Sequence, residues 1–212
     1  MRFQRAWKTC LIGIGFVMGA ANVGWSETLV VSNFDDGSDH NALGGDFGAW
    51  NRYPEDTSQG CVTHLDEANG YGGTGTALRI DYDVDSPNPA FCGFWTSLHG
   101  IDLRPYHQLV LYVKGDVAKG YTTQIKLELK PVQPPPDTSQ EPATGQEPEA
   151  EQVRPRYLLK RITDQWQRFV IPLESFEGLR DRSSMKELVI IFDDMNSTKK
   201  TGTLYLDEIA FE

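Results

Sequence analysis

The sequence predicts an all-β fold, an antiparallel jelly-roll β-sandwich. Three observations predict it. Apolar residues recur with a period of two through short segments, turn-forming clusters of Gly, Pro, Asn and Ser part those segments, and no long stretch repeats every 3.6 residues as an amphipathic helix would. With 212 residues, 39% of them hydrophobic and 24% charged, the chain suits one ordinary domain with a packed core.

The chain opens on an address rather than a strand. Arg2, Arg5 and Lys8 precede a largely apolar, small-residue run over 10–23, and the first acid is Glu27. A basic start, a short apolar run and small residues before a polar segment describe a secretory signal peptide over 1–26. The run falls short of the roughly 20 residues that a membrane span needs, so an uncleaved anchor is the weaker alternative and the mature form has no membrane span. The expected location is periplasmic or secreted. In an oxidising compartment the two remaining cysteines, Cys61 and Cys92, read as a disulfide, and a reactive thiol fits less well because neither lies in a CxxC.

The domain then occupies 27–212. Strands are expected over 29–34, 76–84, 91–98, 108–114, 124–130, 156–162, 167–172, 187–192 and 203–211. Leu78, Ile80, Tyr82 and Val84 interleave with Arg79, Asp81 and Asp83, and Ile125, Leu127 and Leu129 interleave with Lys126, Glu128 and Lys130. Each pattern marks a strand with one buried and one wet face. Val189, Ile190 and Ile191 run without interruption, as a central strand does. Asn69-Gly70-Tyr71-Gly72-Gly73, Ser86-Pro87-Asn88-Pro89 and Lys114-Gly115-Asp116 supply turns. A helical turn or two is expected near 173–179 or 181–186.

Residues 131–153 break the pattern, with six of the twelve prolines, five acids and no Lys or Arg. The composition predicts a disordered, Pro/Glu-rich segment. It reads as an insertion between two strands of one domain, because the roughly four strands that follow are too few to close a sandwich alone; an interdomain linker is the other reading. The whole chain carries a net charge of −10, and without Arg2, Arg5 and Lys8 the rest holds 17 basic against 30 acidic residues. Such a balance excludes a nucleic-acid partner, which needs a basic surface.

Two stretches carry a family likeness. One runs through Val31-Ser32-Asn33-Phe34-Asp35-Asp36-Gly37, Asn41-Ala42-Leu43-Gly44-Gly45 and Gly48-Ala49-Trp50. The other runs from Trp166-Gln167-Arg168-Phe169-Val170-Ile171-Pro172-Leu173 and Phe176 to Thr201-Gly202-Thr203-Leu204-Tyr205-Leu206-Asp207-Glu208-Ile209. Together they resemble the galactose-binding-like jelly rolls, above all the non-catalytic carbohydrate-binding modules of the family-11 type and the related domain of complex I intermediate-associated proteins. The resemblance implies a structural Ca2+ held by the residues at the matching positions, Asp35 and Asp207, with Asp36, Asp39 or Asn41 completing an oxygen shell. A plain turn and a capped edge residue are the alternative reading of the same positions.

For catalysis the sequence offers little: no HExxH, GxSxG, P-loop or dinucleotide fingerprint. Asp193-Asp194 and the row Asp81, Asp83, Asp85 are the carboxylate groupings a glycosidase would draw on, and solvated strand faces account for them equally well. The expectation is a binding protein, not an enzyme. Sugars present an apolar CH face and a hydroxyl rim, so their sites pair flat aromatic rings with polar groups. The residues that fit are Trp50, Tyr53, Arg79, Asp81, Trp95, Tyr112, Lys126 and Glu128, each of which is also readable as core aromatic or solvated charge. The expected partner is a poly- or oligosaccharide. A protein-interaction or assembly role, with 131–153 as the partner-binding element, is the alternative.

Overall fold

The computed structural model describes residues 28–132 and 154–212. They form a jelly-roll sandwich of two antiparallel sheets built from eleven strands: β1 (Leu29–Ser32), β2 (Phe47–Asn51), β3 (Gly60–Asp66), β4 (Ala77–Asp83), β5 (Phe91–Ile101), β6 (Gln108–Gly115), β7 (Gln124–Pro131), β8 (Arg156–Lys160), β9 (Gln167–Pro172), β10 (Met185–Asp193) and β11 (Thr201–Phe211). One sheet has the order β3-β4-β11-β6-β9, with β1 on the far end of β11, and the other has the order β2-β5-β10-β7-β8. All nine expected strands are present. β2 and β3 were not legible: β2 is short and holds Gly48 and Ala49, weak strand formers, and β3 mixes polar and apolar residues on both faces. The expected helical turn is a single 3-10 turn at Leu173–Ser175.

Alternation decides what faces inward. Leu78, Ile80 and Tyr82 of β4, Cys92, Phe94 and Leu98 of β5, Leu109, Leu111 and Val113 of β6, and Leu188, Ile190 and Phe192 of β10 are all buried between the sheets. Tyr82 and Phe192 stack across that gap with ring centroids 4.1 Å apart and planes 7° from parallel, joining the two layers. Removing buried apolar area of this kind from water contributes roughly 25 cal/mol per Å2.

The expected Cys61–Cys92 disulfide is not formed in the structure, where both are buried free thiols. They lie together between the sheets. The Cys92 thiol donates to the Gly60 carbonyl at 3.1 Å. The neighbouring Cys92 thiol, together with burial, pushes the Cys61 thiol above its ordinary range. The expected signal peptide, 1–26, lies outside the described residues, as do residues 133–153 of the Pro/Glu-rich segment. The strands that flank that segment, β7 and β8, are antiparallel neighbours in one sheet. Among the described residues no helix is long and apolar enough to cross a membrane.

Candidate functional site

The outward face of the five-stranded sheet is set by register. Residues paired directly across antiparallel strands share a face. One row reads Trp50, Gly93, Ile191, Lys126, Leu158 across β2, β5, β10, β7 and β8, and the next reads Gly48, Trp95, Val189, Glu128, Arg156. Four of the eight expected ligand residues, Trp50, Trp95, Lys126 and Glu128, therefore come together on one surface. Five strands span about 19 Å from first to last, at roughly 4.8 Å each.

The two tryptophans are seated by two glycines. β2 carries Gly48-Ala49-Trp50, β5 carries Gly93-Phe94-Trp95, and the antiparallel register sets each Trp opposite the other strand's Gly. A Cβ on Gly93 would stand 3.1 Å from Trp50 Nε1 and 1.9 Å from the Ile190 carbonyl oxygen, so only glycine fits. A Cβ on Gly48 would stand 3.8 Å from Trp95 Nε1, in ordinary contact. Both indoles are half-buried and keep an exposed part. Below them Val189 and Ile191 close the floor, although they point away from the core.

The polar groups of this face are unevenly satisfied. Asp193, 1% exposed, accepts from Lys126 Nζ at 2.9 Å and from the Met195 and Asn196 backbone amides and the Asn196 side chain. Burial raises the Asp193 carboxyl, but these donors outweigh it and hold the group below the usual carboxylate range. Lys126 is thereby fixed in place. Glu128 is different. Burial pushes its carboxyl up, against the pull of Arg154, Lys126, Lys130 and Arg156, and Arg154 approaches only to 4.0 Å, too far for a hydrogen bond. Among the described residues, the buried side-chain polar atoms left without a partner are Trp50 Nε1 and Glu128 Oε2. One is a donor and the other an acceptor, and both belong to this face.

The remaining expected ligand residues lie elsewhere. Tyr53 is exposed in the β2–β3 connection. Arg79, Asp81 and Tyr112 are on the outward face of the six-stranded sheet, which satisfies itself. Asp81 is paired with Arg79 and Lys119 and accepts from Thr203. Lys114 Nζ donates to Asn69 at 2.9 Å and lies 4.8 Å from the centre of the Tyr205 ring and 5.4 Å from that of Trp166. Tyr112 is covered by Tyr71, ring centroids 4.0 Å apart. The sequence reading left out Asp193 as a binding-face residue and the seating role of Gly48 and Gly93. The repeated Gly-x-Trp was the available signal.

Asp35 and Asp207 lie at the β1 end of the six-stranded sheet. The pairing of β11 with β6 shifts between Asp207 and Ala210, and Glu208 has φ +49°, a bulge that re-aims Asp207. Asp207 is 3% exposed and its oxygens accept from the Tyr71 and Glu208 amides, each at 2.8 Å. Asp35 accepts from the Thr76 amide at 2.8 Å. Burial first, then the charges of Glu208 and Asp35, push the Asp207 carboxyl up to about 6. Two hard, mutually repelling carboxylates suit Ca2+ in charge and chemistry, with backbone carbonyls and water left to supply the rest of six to eight oxygens. Among the described residues no set of three or more His, Cys, Asp or Glu side chains gathers as a metal site.

No family profile and no curated protein matches the sequence. Solved structures do match in fold. The family 11 carbohydrate-binding module of Clostridium thermocellum, in complex with a β-1,3-1,4-mixed-linked tetrasaccharide, aligns at a TM-score of 0.57 and 14% identity, over 87% of this chain and 94% of that one. The family 11 module of a cellulosomal cellulase of the same organism aligns at 0.52 and 14%, over 78% and 86%. An exo-β-agarase aligns at 0.57 and 8%, over 87% of this chain and 24% of that one. The likeness is one of fold: the chain has the two-sheet jelly roll of these carbohydrate-binding modules.

Proposed function

We propose that this is an exported, non-catalytic binding protein that holds a poly- or oligosaccharide across the outward face of the five-stranded sheet, at the cell envelope or beyond it. The observation that carries the reading is the pairing of two glycine-seated indoles with a buried donor and a buried acceptor that have no partner among the described residues. A sugar suits such a face: its CH face covers the exposed parts of Trp50 and Trp95, and a hydroxyl donates to the Glu128 carboxylate. Lys126, pinned by Asp193, adds a fixed donor. The fold likeness to carbohydrate-binding modules supports the same reading, and Ca2+ at Asp35 and Asp207 is proposed as a structural ion remote from the sugar.

Affinity electrophoresis through gels containing soluble polysaccharides tests it. At least one polymer should retard the chain; Trp50→Ala and Trp95→Ala should each weaken that retention about tenfold or more, as loss of a buried aromatic anchor does. Tyr112→Ala and Arg79→Ala, on the other sheet, should leave it unchanged. No retention on any polymer sinks the reading. Deleting 131–153 separates it from a partner-binding role for that segment, because sugar retention should survive the deletion.

A further inference from the structure

The sugar platform continues into an edge lined with cations, most of them held by carboxylates. The outward residues of β7 and β8 are Gln124, Lys126, Glu128, Lys130, Arg156, Leu158 and Lys160, and three of their four cations meet a carboxylate from another element: Lys126 with Asp193, Lys130 with Glu187 and Arg156 with Glu177. Beside them a cavity of about 550 Å3 is lined by Lys126, Arg156, Leu158, Ser175, Met195 and Asn196, with the Glu177 carboxylate also in its wall. That volume lies within the range of small-molecule sites.

Its chemistry is that of an oxyanion pocket with an apolar lip. Lys126 and Arg156 come from adjacent strands, Glu128 being the residue directly paired with Arg156. Both cations are braced rather than consumed. Asp193 takes one donor of Lys126 from behind, and an ammonium has three. Glu177, at the exposed rim, takes the Nε–H of Arg156 at 3.1 Å, one of five guanidinium donors. Arg presents its donors in a planar fork that matches carboxylate and sulfate geometry. Asn196 and Ser175 are further polar groups of the wall, and Asn196 is set by its bonds to Asp193. Leu158 and Met195, the latter 86% exposed, are apolar surface at the mouth. A surface methionine gives adaptable contact to a ring's CH face.

We infer that this edge is a subsite for an oxyanion substituent, carboxylate or sulfate, carried by the sugar chain that lies on Trp50 and Trp95. The inference rests on the carbohydrate reading and adds the ligand's charge and direction: the chain crosses the strands, with its anionic group at β8.

The test uses the full chain and one polysaccharide backbone that retains it, in neutral, carboxymethylated and sulfated forms, by isothermal titration calorimetry. At least one anionic form should bind about tenfold tighter than the neutral one, the margin of a charge-assisted contact, and added salt should narrow that margin. Arg156→Gln, at a largely exposed side chain, should erase the margin by weakening the anionic forms more than the neutral one. Preference for only the carboxymethyl or only the sulfate form identifies the substituent. Neutral binding equal to or tighter than both anionic forms overturns the subsite, as does equal weakening of all forms by Arg156→Gln; in either case the carbohydrate reading stands. Failure of every backbone to retain the wild-type chain overturns that reading and the subsite with it.

Discussion

Trp50 lies across Gly93 on the neighbouring strand, its Nε1 3.1 Å from where a Cβ would stand. The missing side chain lets an indole sit against the sheet instead of standing on it, and a ring held that way is ready for a flat ligand without losing rotamer freedom on binding.

Gly93→Ala and Gly48→Ala should therefore differ although both lie on the same face beside a tryptophan. The Gly93 methyl would meet the Ile190 carbonyl oxygen at 1.9 Å as well as Trp50. Its cost should be about 1–3 kcal/mol, as overpacking costs elsewhere, with sugar retention lost. The Gly48 methyl meets Trp95 Nε1 at 3.8 Å, so that variant should fold with near wild-type stability and keep binding. Urea unfolding and affinity electrophoresis of the two variants check this, and equal stability would sink it.

Glu128→Gln should stabilise the fold and weaken binding. The carboxylate is 9% exposed, has an oxygen without a hydrogen-bond partner, and has its pKa raised by burial. A group with a raised folded-state pKa favours folding below its unfolded value, here 4.5, and that contribution is lost as pH rises through the folded value. At neutral pH the charge is thus a burden. Removing it should add about 1 kcal/mol, or roughly 2–4 °C in melting temperature, while sugar affinity falls about tenfold. A variant both less stable and fully binding would contradict this.

The sandwich was legible because its strands bury one face, and burial on one face imposes the two-residue period that Leu78, Ile80 and Tyr82 display. The site was half legible for a related reason. Residue type pointed to Trp50, Trp95, Lys126 and Glu128, and equally to Arg79, Asp81 and Tyr112; only register tells which of them share a face. Register depends on pairing between strands remote in sequence, such as β5 with β10, which local pattern does not encode. Satisfaction is equally non-local: Asp81 and Lys114 look available in sequence, and the fold gives each a partner.

Calcium at about 1 mM should raise the melting temperature and a chelator should lower it, because a cation bound by the folded state alone stabilises it by mass action. Asp207→Asn should abolish the response, since Asp207 is the buried member of the pair with Asp35. Sugar retention should be unaffected, the pair being on the other sheet. A melting temperature indifferent to both additions removes the ion from the account.

Asp193→Asn should show the opposite pH behaviour to Glu128→Gln. Asp193 is almost wholly buried, holds the Lys126 ammonium at 2.9 Å and caps the turn through Asn196. Despite the upward push of burial, those donors depress its pKa below 3.8. A depressed carboxylate contributes stability that is present above its unfolded pKa and is lost as pH falls through the folded value. The amide keeps the shape and forfeits the charge, leaving Lys126 without its counter-ion at 22% exposure. The expected cost near neutral pH is about 2–3 kcal/mol, less than for a fully buried pair because Lys126 keeps some water. That cost should shrink steadily below pH 3.8, where wild-type Asp193 also becomes protonated. Urea unfolding of both proteins from about pH 7 down to about pH 2 measures it. A cost independent of pH would show that Asp193 acts through shape alone. Binding should fall in the same variant, since an unpinned Lys126 no longer presents a fixed donor beside Glu128.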